Sequence, residues 1–374
     1  MYMQAEKIRE ILKTVVDPAT GTDIVTAQMV VNIDIQDKLI NVTINSKKLE
    51  GRLKGELTLA CQDKISTLYP DAEVNIHMIS QETQQFSVGN GKGSLEDLSK
   101  NPLPHVRNFI AVASGKGGVG KSTVAVNLAL GLKQMGLKVG ILDGDIYGPS
   151  IPTMLGLKGR KPQVKKIYGI DKLVPLEAHG IFAMSIGFFI EPEQAVVLRG
   201  PKLDGIMQQF VKDVVWPELD FMVIDLPPGT GDVQLSLVQL LPVTGAVIVV
   251  TPQDVAVDDA VKAITMLMMP NLSVPILGIV ENMSWFTPAE LPENKYYIFG
   301  QGGGQKLVEM SGSSMLGQVP IIQSIREGSD SGVPAVIDES NPSRPYYIEI
   351  ASNVNRETNL RNEVLNPTKI VERS

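Results

Sequence analysis

The pattern of apolar and polar positions divides the chain into two parts. In the first part, apolar residues at helical spacing predict helices over residues 8–15 and 61–68. Strict alternation of apolar and polar residues predicts strands over 31–35, 40–44 and 74–78. The resulting order, α-β-β-α-β, is typical of a small α+β domain.

This small domain, residues 1–79, is followed by a polar segment rich in Gln, Gly and Ser, which we interpret as a linker over 80–105. Over residues 106–374, continuous apolar stretches alternate with helical patterns, as in parallel sheets with crossover helices. The apolar stretches that predict buried strands include 139–142, 221–224, 246–250 and 276–280. The predicted fold class is therefore α/β, a doubly wound and mostly parallel sheet preceded by a small α+β domain.

A glycine-rich turn is the segment around which the second part is organised. It follows an apolar stretch at 109–113 and precedes a helical pattern at 123–135, so strand, glycine loop and helix occur in the order that the phosphate-loop pattern G-x-x-x-x-G-K-[ST] requires. Main-chain N–H groups of such a loop, together with the positive end of the helix, bind phosphate oxygens. The predicted nucleotide-binding residues are Gly115, Lys116, Gly117, Gly118, Val119, Gly120, Lys121, Ser122 and Thr123.

The loop pattern also assigns roles to individual side chains. Lys121 is predicted to contact the β- and γ-phosphates of ATP, and the Ser122 hydroxyl is predicted to bind Mg²⁺. Asp225 directly follows a predicted buried strand, which is the position of a carboxylate that holds Mg²⁺. The alternative for Asp225 is a carboxylate that caps a turn.

Two further carboxylates, Asp143 and Asp145, follow another predicted strand. Because ligands bind beyond the carboxyl ends of the strands in open α/β sheets, we expect both to lie near the bound phosphates. Their spacing suits a paired role if the strand geometry continues through them. The alternative is a pair of surface carboxylates in a turn.

Lys116 at the second position of the glycine loop resembles the deviant phosphate loop of the MinD/ParA/nitrogenase-iron-protein superfamily. The segments 139–150, 198–201, 219–234 and 281–284, with a Phe-Gly motif at 298–303, are similar to Mrp/ApbC-type P-loop ATPases. The first domain resembles small iron–sulfur assembly domains. These resemblances imply a homodimer that binds and slowly hydrolyses ATP as a switch in iron–sulfur cluster assembly or transfer, with acceptor or assembly proteins as partners.

The resemblance also implies roles for single residues. Lys116 would reach across the dimer to the partner's nucleotide. The alternative for Lys116 is a solvated lysine on an exposed loop. Asp145 would orient or deprotonate the attacking water, and Asp143 would support the magnesium shell. Asn282 would bind the adenine edge, for which an amide has suitable donors and an acceptor, although an Asn in an ordinary turn is the alternative. Pro320 would pack against the base.

The chain departs from the family pattern at residues 285–297, where many relatives carry a Cys-x-x-Cys pair that holds a bridging iron–sulfur cluster. The sequence contains a single cysteine, Cys61, whereas such clusters are ordinarily held by four thiolates. An iron–sulfur cluster is thus implied by the family while its usual ligands are absent. Two alternatives follow: a MinD/ParA-like positioning ATPase, or a scaffold or chaperone that has lost cluster binding.

Cys61 has two interpretations. Its position among apolar residues at helical spacing favours a buried structural cysteine. In the alternative it lies in the first turn of its helix, where the helix dipole would favour the thiolate.

The composition of the chain limits the classes of partner and the cellular compartment that we expect for the protein. The 374 residues are 43% hydrophobic and 20% charged, as in soluble two-domain proteins, and the net charge of −7 argues against nucleic-acid or membrane partners. The longest apolar candidate, 235–250, is broken by Pro242 and Gly245. We expect a cytoplasmic protein, because no secretion signal is evident and a single cysteine suits a reducing compartment.

Overall fold

The structure is a computed structural model that describes residues 5–17, 21–27, 29–36, 39–45, 51–70, 72–79, 101–167, 170–190 and 200–365. The chain forms two compact units, Met1–Gly93 and Ser94–Ser374. Most of the predicted linker, residues 80–105, lies outside the described residues.

The first unit packs two helices against a three-stranded sheet. Its elements are α1 (Ala5–Leu12), β1 (Val30–Gln36), β2 (Leu39–Asn45), α2 (Gly51–Leu68) and β3 (Glu73–Ile79). β1 pairs antiparallel with β2, and β2 pairs parallel with β3, to which α2 is the crossover. This is the predicted α-β-β-α-β order, and the core is formed by fully buried residues that include Ile8, Leu12, Ile40, Val42, Ile44, Cys61 and Ile65.

The first helix is shorter than its apolar spacing predicts. α1 ends at Leu12, and Val15 lies in a hydrogen-bonded turn with its N–H donating to the Leu12 carbonyl. The Val15 carbonyl accepts from the Ile24 N–H instead of from a next helical turn. Val15 is still buried and belongs to the hydrophobic core of this unit.

The second unit is an α/β domain with an eight-stranded sheet. Its strands are β4 (Val106–Ala113), β5 (Val139–Asp143), β6 (Gln163–Ile167), β7 (Ile170–Val174), β8 (Leu176–Ala178), β9 (Ile181–Met184), β10 (Leu219–Asp225), β11 (Gly245–Val250), β12 (Ile276–Phe286) and β13 (Ser314–Ile321). Its helices are α3 (Lys121–Gln134), α4 (Ile151–Met154), α5 (Gly200–Lys212), α6 (Asp232–Leu240), α7 (Asp254–Leu267), α8 (Gly303–Ser311), α9 (Gln323–Ser331) and α10 (Arg344–Val364).

The strand order β13-β12-β11-β4-β10-β5-β9-β8 puts β4 near the middle of the sheet. All neighbouring strands are parallel except β8, which pairs antiparallel with β9. β6 and β7 form a separate antiparallel hairpin. The chain leaves β4 toward both edges of the sheet, and this reversal creates a crevice at the carboxyl end of β4. The predicted α/β fold class is confirmed.

The predicted strands of the second unit lie where the sequence is continuously apolar. Every residue of β11 and all but one of β4 are buried, because helices cover both faces of a parallel sheet. β12 runs beyond the predicted 276–280 and includes the Glu281-Asn282-Met283-Ser284 segment. Asn282 therefore lies within a strand, and the interpretation as an ordinary strand-end turn is wrong.

Candidate active site

The glycine loop lies between β4 and α3, as the sequence predicts, and its glycines meet specific steric demands. Gly118 and Gly120 have φ angles of 82° and 83°, which other residues rarely adopt. A Cβ atom on Gly115 would lie 2.1 Å from the carbonyl carbon of Asp259 in α7, and one on Gly120 would lie 2.2 Å from the Asn282 side-chain nitrogen. The loop is therefore packed closely against α7 and β12.

A cavity of about 190 Å³ opens above this loop. Its walls include Ser114, Lys116, Gly117, Gly118, Gly120, Lys121, Ser122, Thr123, Asp145, Ser150, Met154 and Pro228. Loop N–H groups and the N-terminus of α3 lie at its base, where an anion is favoured. The cavity has the character of a phosphate site.

Lys121 and Asp225 form a buried ion pair at the floor of this cavity. The Lys121 ammonium lies 2.6 Å from Asp225 Oδ1, and the two side chains are 6% and 0% exposed. The Ser122 hydroxyl lies 3.2 Å from the same ammonium. Burial raises the pKa of Asp225, and attraction to Lys121 opposes this rise. The alternative interpretation of Asp225, a carboxylate that caps a turn, is wrong, because the carboxylate is buried and pairs with Lys121.

The donor set suits Mg²⁺. Within the described part of the chain, Asp225 Oδ2 is buried and has no hydrogen-bond partner. The Ser122 hydroxyl and Asp225 both contact the Lys121 ammonium, so two hard oxygen donors lie close to the phosphate cavity. Mg²⁺ is usually bound by one or two carboxylates together with substrate phosphates and waters, which this arrangement fits.

Asp143 and Asp145 have different environments. Asp143 is fully buried, and its carboxylate accepts from the Asp145 N–H at 3.1 Å and from the Ser185 hydroxyl at 2.7 Å. Burial, followed by repulsion from Asp225, raises the pKa of Asp143. Asp145 lines the cavity with one carboxylate oxygen 3.9 Å from the Lys121 ammonium. The interpretation of Asp143 and Asp145 as surface carboxylates is therefore wrong for Asp143.

Other predicted site residues lie at varying distances from the cavity. Lys116 lines it and is partly exposed, and its ammonium makes no ion pair with any residue that the structure describes. Asn282 is nearly buried and its side chain donates to the Val119 carbonyl at 2.8 Å, so it supports the loop from beneath. Pro320 is buried in β13. Neither Asn282 nor Pro320 lines the cavity.

Ser185 and Glu281 have buried polar contacts that the sequence did not single out. Ser185 follows β9 and donates to Asp143. Glu281 is buried, and its carboxylate accepts from the Gly304 N–H at 2.7 Å and from the Gln318 side chain at 2.8 Å. The sequence does carry a signal for Glu281, a charged residue directly after the apolar stretch 276–280. Nothing in the sequence around Ser185 distinguishes that serine.

Residues 285–297, which contain no cysteine, are held by main-chain hydrogen bonds and by contacts of the Trp285 ring. Phe286 and Tyr296 exchange main-chain hydrogen bonds of 2.9 and 2.8 Å. The Lys295 ammonium lies 4.2 Å from the centre of the Trp285 ring, which packs edge-on against Tyr346. Across the described residues, no three His, Cys, Asp or Glu side chains come together in a group that could hold a metal ion.

Cys61 lies in the middle of α2 and is fully buried, so the interpretation that places it in the first helical turn is wrong. Burial raises the pKa of its thiol to about 12. No helix among the described residues has both the length and the apolar character needed to cross a membrane.

A parallel sheet with a phosphate loop at its central strand, a lysine in that loop and an aspartate at the end of the neighbouring strand defines a P-loop nucleotide-binding protein. The chain belongs to the family described as NUBPL iron-transfer P-loop NTPase, which matches residues 105–355. Residues 5–76 match the family described as iron-sulfur cluster assembly protein. The resemblances seen in the sequence are confirmed.

Individual relatives cover most of the chain. The iron-sulfur cluster carrier protein of Synechocystis sp. is 40% identical over 337 residues, which span 90% of this chain and 92% of the relative. The protein of the same name from Escherichia coli is 47% identical over 284 residues, 75% of each chain. A solved nucleotide-binding protein from Archaeoglobus fulgidus in complex with ADP is 37% identical with a TM-score of 0.56, covering 66% of this chain and 94% of that one.

Proposed function

We propose that this protein is a homodimeric switch that binds ATP, hydrolyses it slowly and acts in iron–sulfur cluster assembly or transfer in the cytoplasm. The observation that carries the proposal is the phosphate-loop cavity, which Lys121 and Asp145 line and at which Lys121 pairs with the buried Asp225. Family membership supports it, since relatives that span most of the chain are named as iron-sulfur cluster carriers.

The residues of the cavity divide the work of ATP hydrolysis. Loop N–H groups and Lys121 hold the β- and γ-phosphates, so the Lys121 ammonium leaves Asp225 when ATP enters. Ser122 and Asp225 would hold Mg²⁺, which neutralises phosphate charge. Asp145, at the edge of the cavity, accepts a hydrogen bond from the attacking water and directs it at the γ-phosphate.

Three further roles complete the proposal. Lys116, which has no ion-pair partner within the described chain, reaches the nucleotide of the second subunit. Asp143 supports Asp145 through its main-chain N–H and contributes negative charge near Mg²⁺. Asn282 and Pro320 act at the adenine; one N–H of the Asn282 amide donates to the Val119 carbonyl, which leaves its second N–H and its carbonyl oxygen for the base.

The cluster is the cargo, and acceptor or assembly proteins are the partners. The only thiol, Cys61, is buried with a raised pKa, and a dimer would supply two cysteines against the four that a cluster requires. This observation favours a second candidate function, an ATP-switched scaffold or chaperone that does not itself bind the cluster. Both candidates use the same ATP site.

Nucleotide titration calorimetry with Mg²⁺ tests the ATP site. Lys121→Ala removes the cation nearest to the phosphates, and we expect ATP affinity to fall by at least about tenfold. Lys306→Ala, which removes an exposed lysine far along the chain, is the matched control and should bind as the wild type does. Equal affinities in the two variants would overturn the assignment of the phosphate site.

Anaerobic reconstitution with iron and sulfide separates the two candidate functions. A carrier retains stoichiometric iron and sulfide after gel filtration, and Cys61→Ser reports whether this thiol participates. A chain that retains neither, while it still hydrolyses ATP, is the scaffold or chaperone.

A further inference from the structure

A second cavity lies beside the phosphate site, between the loop that follows β5 and the loop that leads into α6. It has a volume of about 200 Å³ and is lined by Asp145, Tyr147, Pro227, Pro228, Gly231, Val233 and Gln234. Asp145 and Pro228 line both cavities, so the two spaces adjoin at the carboxylate that faces the phosphates. Several water molecules fit in a space of this size.

Gln234 is the unusual member of this lining. It lies in the first turn of α6 and is 1% exposed, yet neither its amide oxygen nor its amide nitrogen has a hydrogen-bond partner in the described part of the chain. A buried amide without partners destabilises a protein, and native structures keep few of them. Such a group calls for a ligand or water that satisfies it, or for a functional reason to keep it.

The helix geometry directs Gln234 toward the Asp143–Asp145 loop. Gln234 and Leu237 are three residues apart and therefore share one face of α6. Leu237 packs directly on that loop, because a Cβ atom on Gly144 would lie 2.6 Å from Leu237 Cδ1. The Gly144 N–H also donates to the Asp225 carbonyl at 2.9 Å, which fixes the loop against the end of β10. The Gln234 amide thus faces the cavity at whose edge Asp145 lies.

We propose that Gln234 binds and orients the water that attacks ATP, by holding a small water cluster in this second cavity next to Asp145. The inference rests on the proposed ATPase function and adds a positioning residue to it. The amide offers two N–H donors and one carbonyl acceptor, so it can fix both the position and the orientation of a water whose other partner is the Asp145 carboxylate.

In the resulting step the water oxygen forms a bond to the γ-phosphorus. The bond between that phosphorus and the β,γ-bridging oxygen breaks, and its electron pair stays on ADP. One water proton passes to the Asp145 carboxylate and then to solvent, so that the products are ADP and inorganic phosphate. Gln234 exchanges no proton and contributes only orientation.

The test compares Gln234→Leu with Gln239→Leu, which makes the same change on α6 away from the cavity. We expect Gln234→Leu to reduce the single-turnover hydrolysis rate about 10- to 100-fold with ATP affinity within twofold of the wild type. Its melting temperature should be unchanged or higher, since an apolar side chain replaces an unsatisfied amide. Gln234→Asn, which keeps the amide, should retain more activity than Gln234→Leu.

The combination of slower hydrolysis with undiminished stability distinguishes orientation of water from a structural role. If Gln234→Leu hydrolyses ATP as fast as the Gln239→Leu control, the inference is wrong. It is equally wrong if the melting temperature and the ATP affinity of Gln234→Leu both fall. A wild-type protein that binds but never hydrolyses ATP would instead overturn the proposed function itself.

Discussion

The buried pair of Lys121 and Asp225 predicts a large loss of stability when only one partner is removed. In Lys121→Met the aliphatic stem is retained, while the Asp225 carboxylate, which is 0% exposed, loses the ammonium at 2.6 Å. Its second oxygen already has no hydrogen-bond partner among the described residues, so the Ser122 hydroxyl is the main group that remains to stabilise the charge. Breaking a buried pair in this way costs about 3–5 kcal/mol, or roughly 6–20 °C in melting temperature for a domain of this size.

The assay is thermal unfolding followed by tryptophan fluorescence, without nucleotide and with a chelator to remove metal ions. Trp216 and Trp285 are the two tryptophans of the chain, and both belong to the second unit, so the signal reports the domain that contains the pair. Adding Asp225→Asn to Lys121→Met should recover most of the loss, because a neutral amide replaces the unpaired charge.

A second lysine–aspartate pair provides the control. Lys306 and Asp254 are 2.9 Å apart, but their side chains are 63% and 83% exposed, so Lys306→Met should leave the melting temperature nearly unchanged. The two pairs differ chiefly in burial. If Lys121→Met destabilises the domain no more than Lys306→Met does, the account of the Lys121–Asp225 pair is refuted.

Three further predictions address other parts of the chain. Gly115→Ala should lower the melting temperature and ATP affinity because its Cβ would meet the α7 backbone, whereas Gly117→Ala, with nothing within 4 Å, should fold normally; equal melting temperatures would contradict this. Lys116→Ala and Asp145→Ala should each hydrolyse ATP more slowly than the wild type. If Lys116 acts across the interface, dimers with one subunit of each variant should recover part of the wild-type activity. Such dimers without any recovery would exclude action across the interface. The raised pKa of Cys61 keeps the thiol neutral, so alkylation of native protein at pH 7–8 should be far slower than of unfolded protein and should accelerate with rising pH; equal rates would show an accessible thiol.

The sequence was sufficient to predict the elements whose physics is local. The apolar stretches gave β5, β10 and β11 within one or two residues, because strands covered on both faces need continuous hydrophobic side chains. The short strands between 163 and 184 escaped prediction. β6 is almost entirely exposed, so its sequence lacks the hydrophobic pattern from which a buried strand is predicted.

The candidate site was predictable where a motif fixes both residue type and spacing, as at Lys121 and Asp225. Gln234 was not, because a glutamine in a helix is ordinarily solvated and the burial of this side chain depends on the tertiary packing of α6. The Asn282 contact with Val119 likewise joins a strand, β12, to the glycine loop, and the two residues are separated in sequence by more than 160 positions. Such contacts are products of the tertiary fold and have no local signature.

With the proposed roles of Lys121 at the phosphates and Asp225 at Mg²⁺, their buried ion pair would also make the entry of nucleotide and of metal ion mutually dependent. A Lys121 ammonium drawn toward a phosphate would compensate Asp225 less well, so nucleotide alone would leave the buried Asp225 carboxylate poorly paired. A divalent cation alone would meet the Lys121 ammonium that already occupies Asp225. Each ligand thereby removes the penalty that opposes the other, which is positive cooperativity, and by linkage the two affinities rise by the same factor. On the proposed function, such a protein would discriminate against free nucleotide and respond to the metal–nucleotide complex as a single signal.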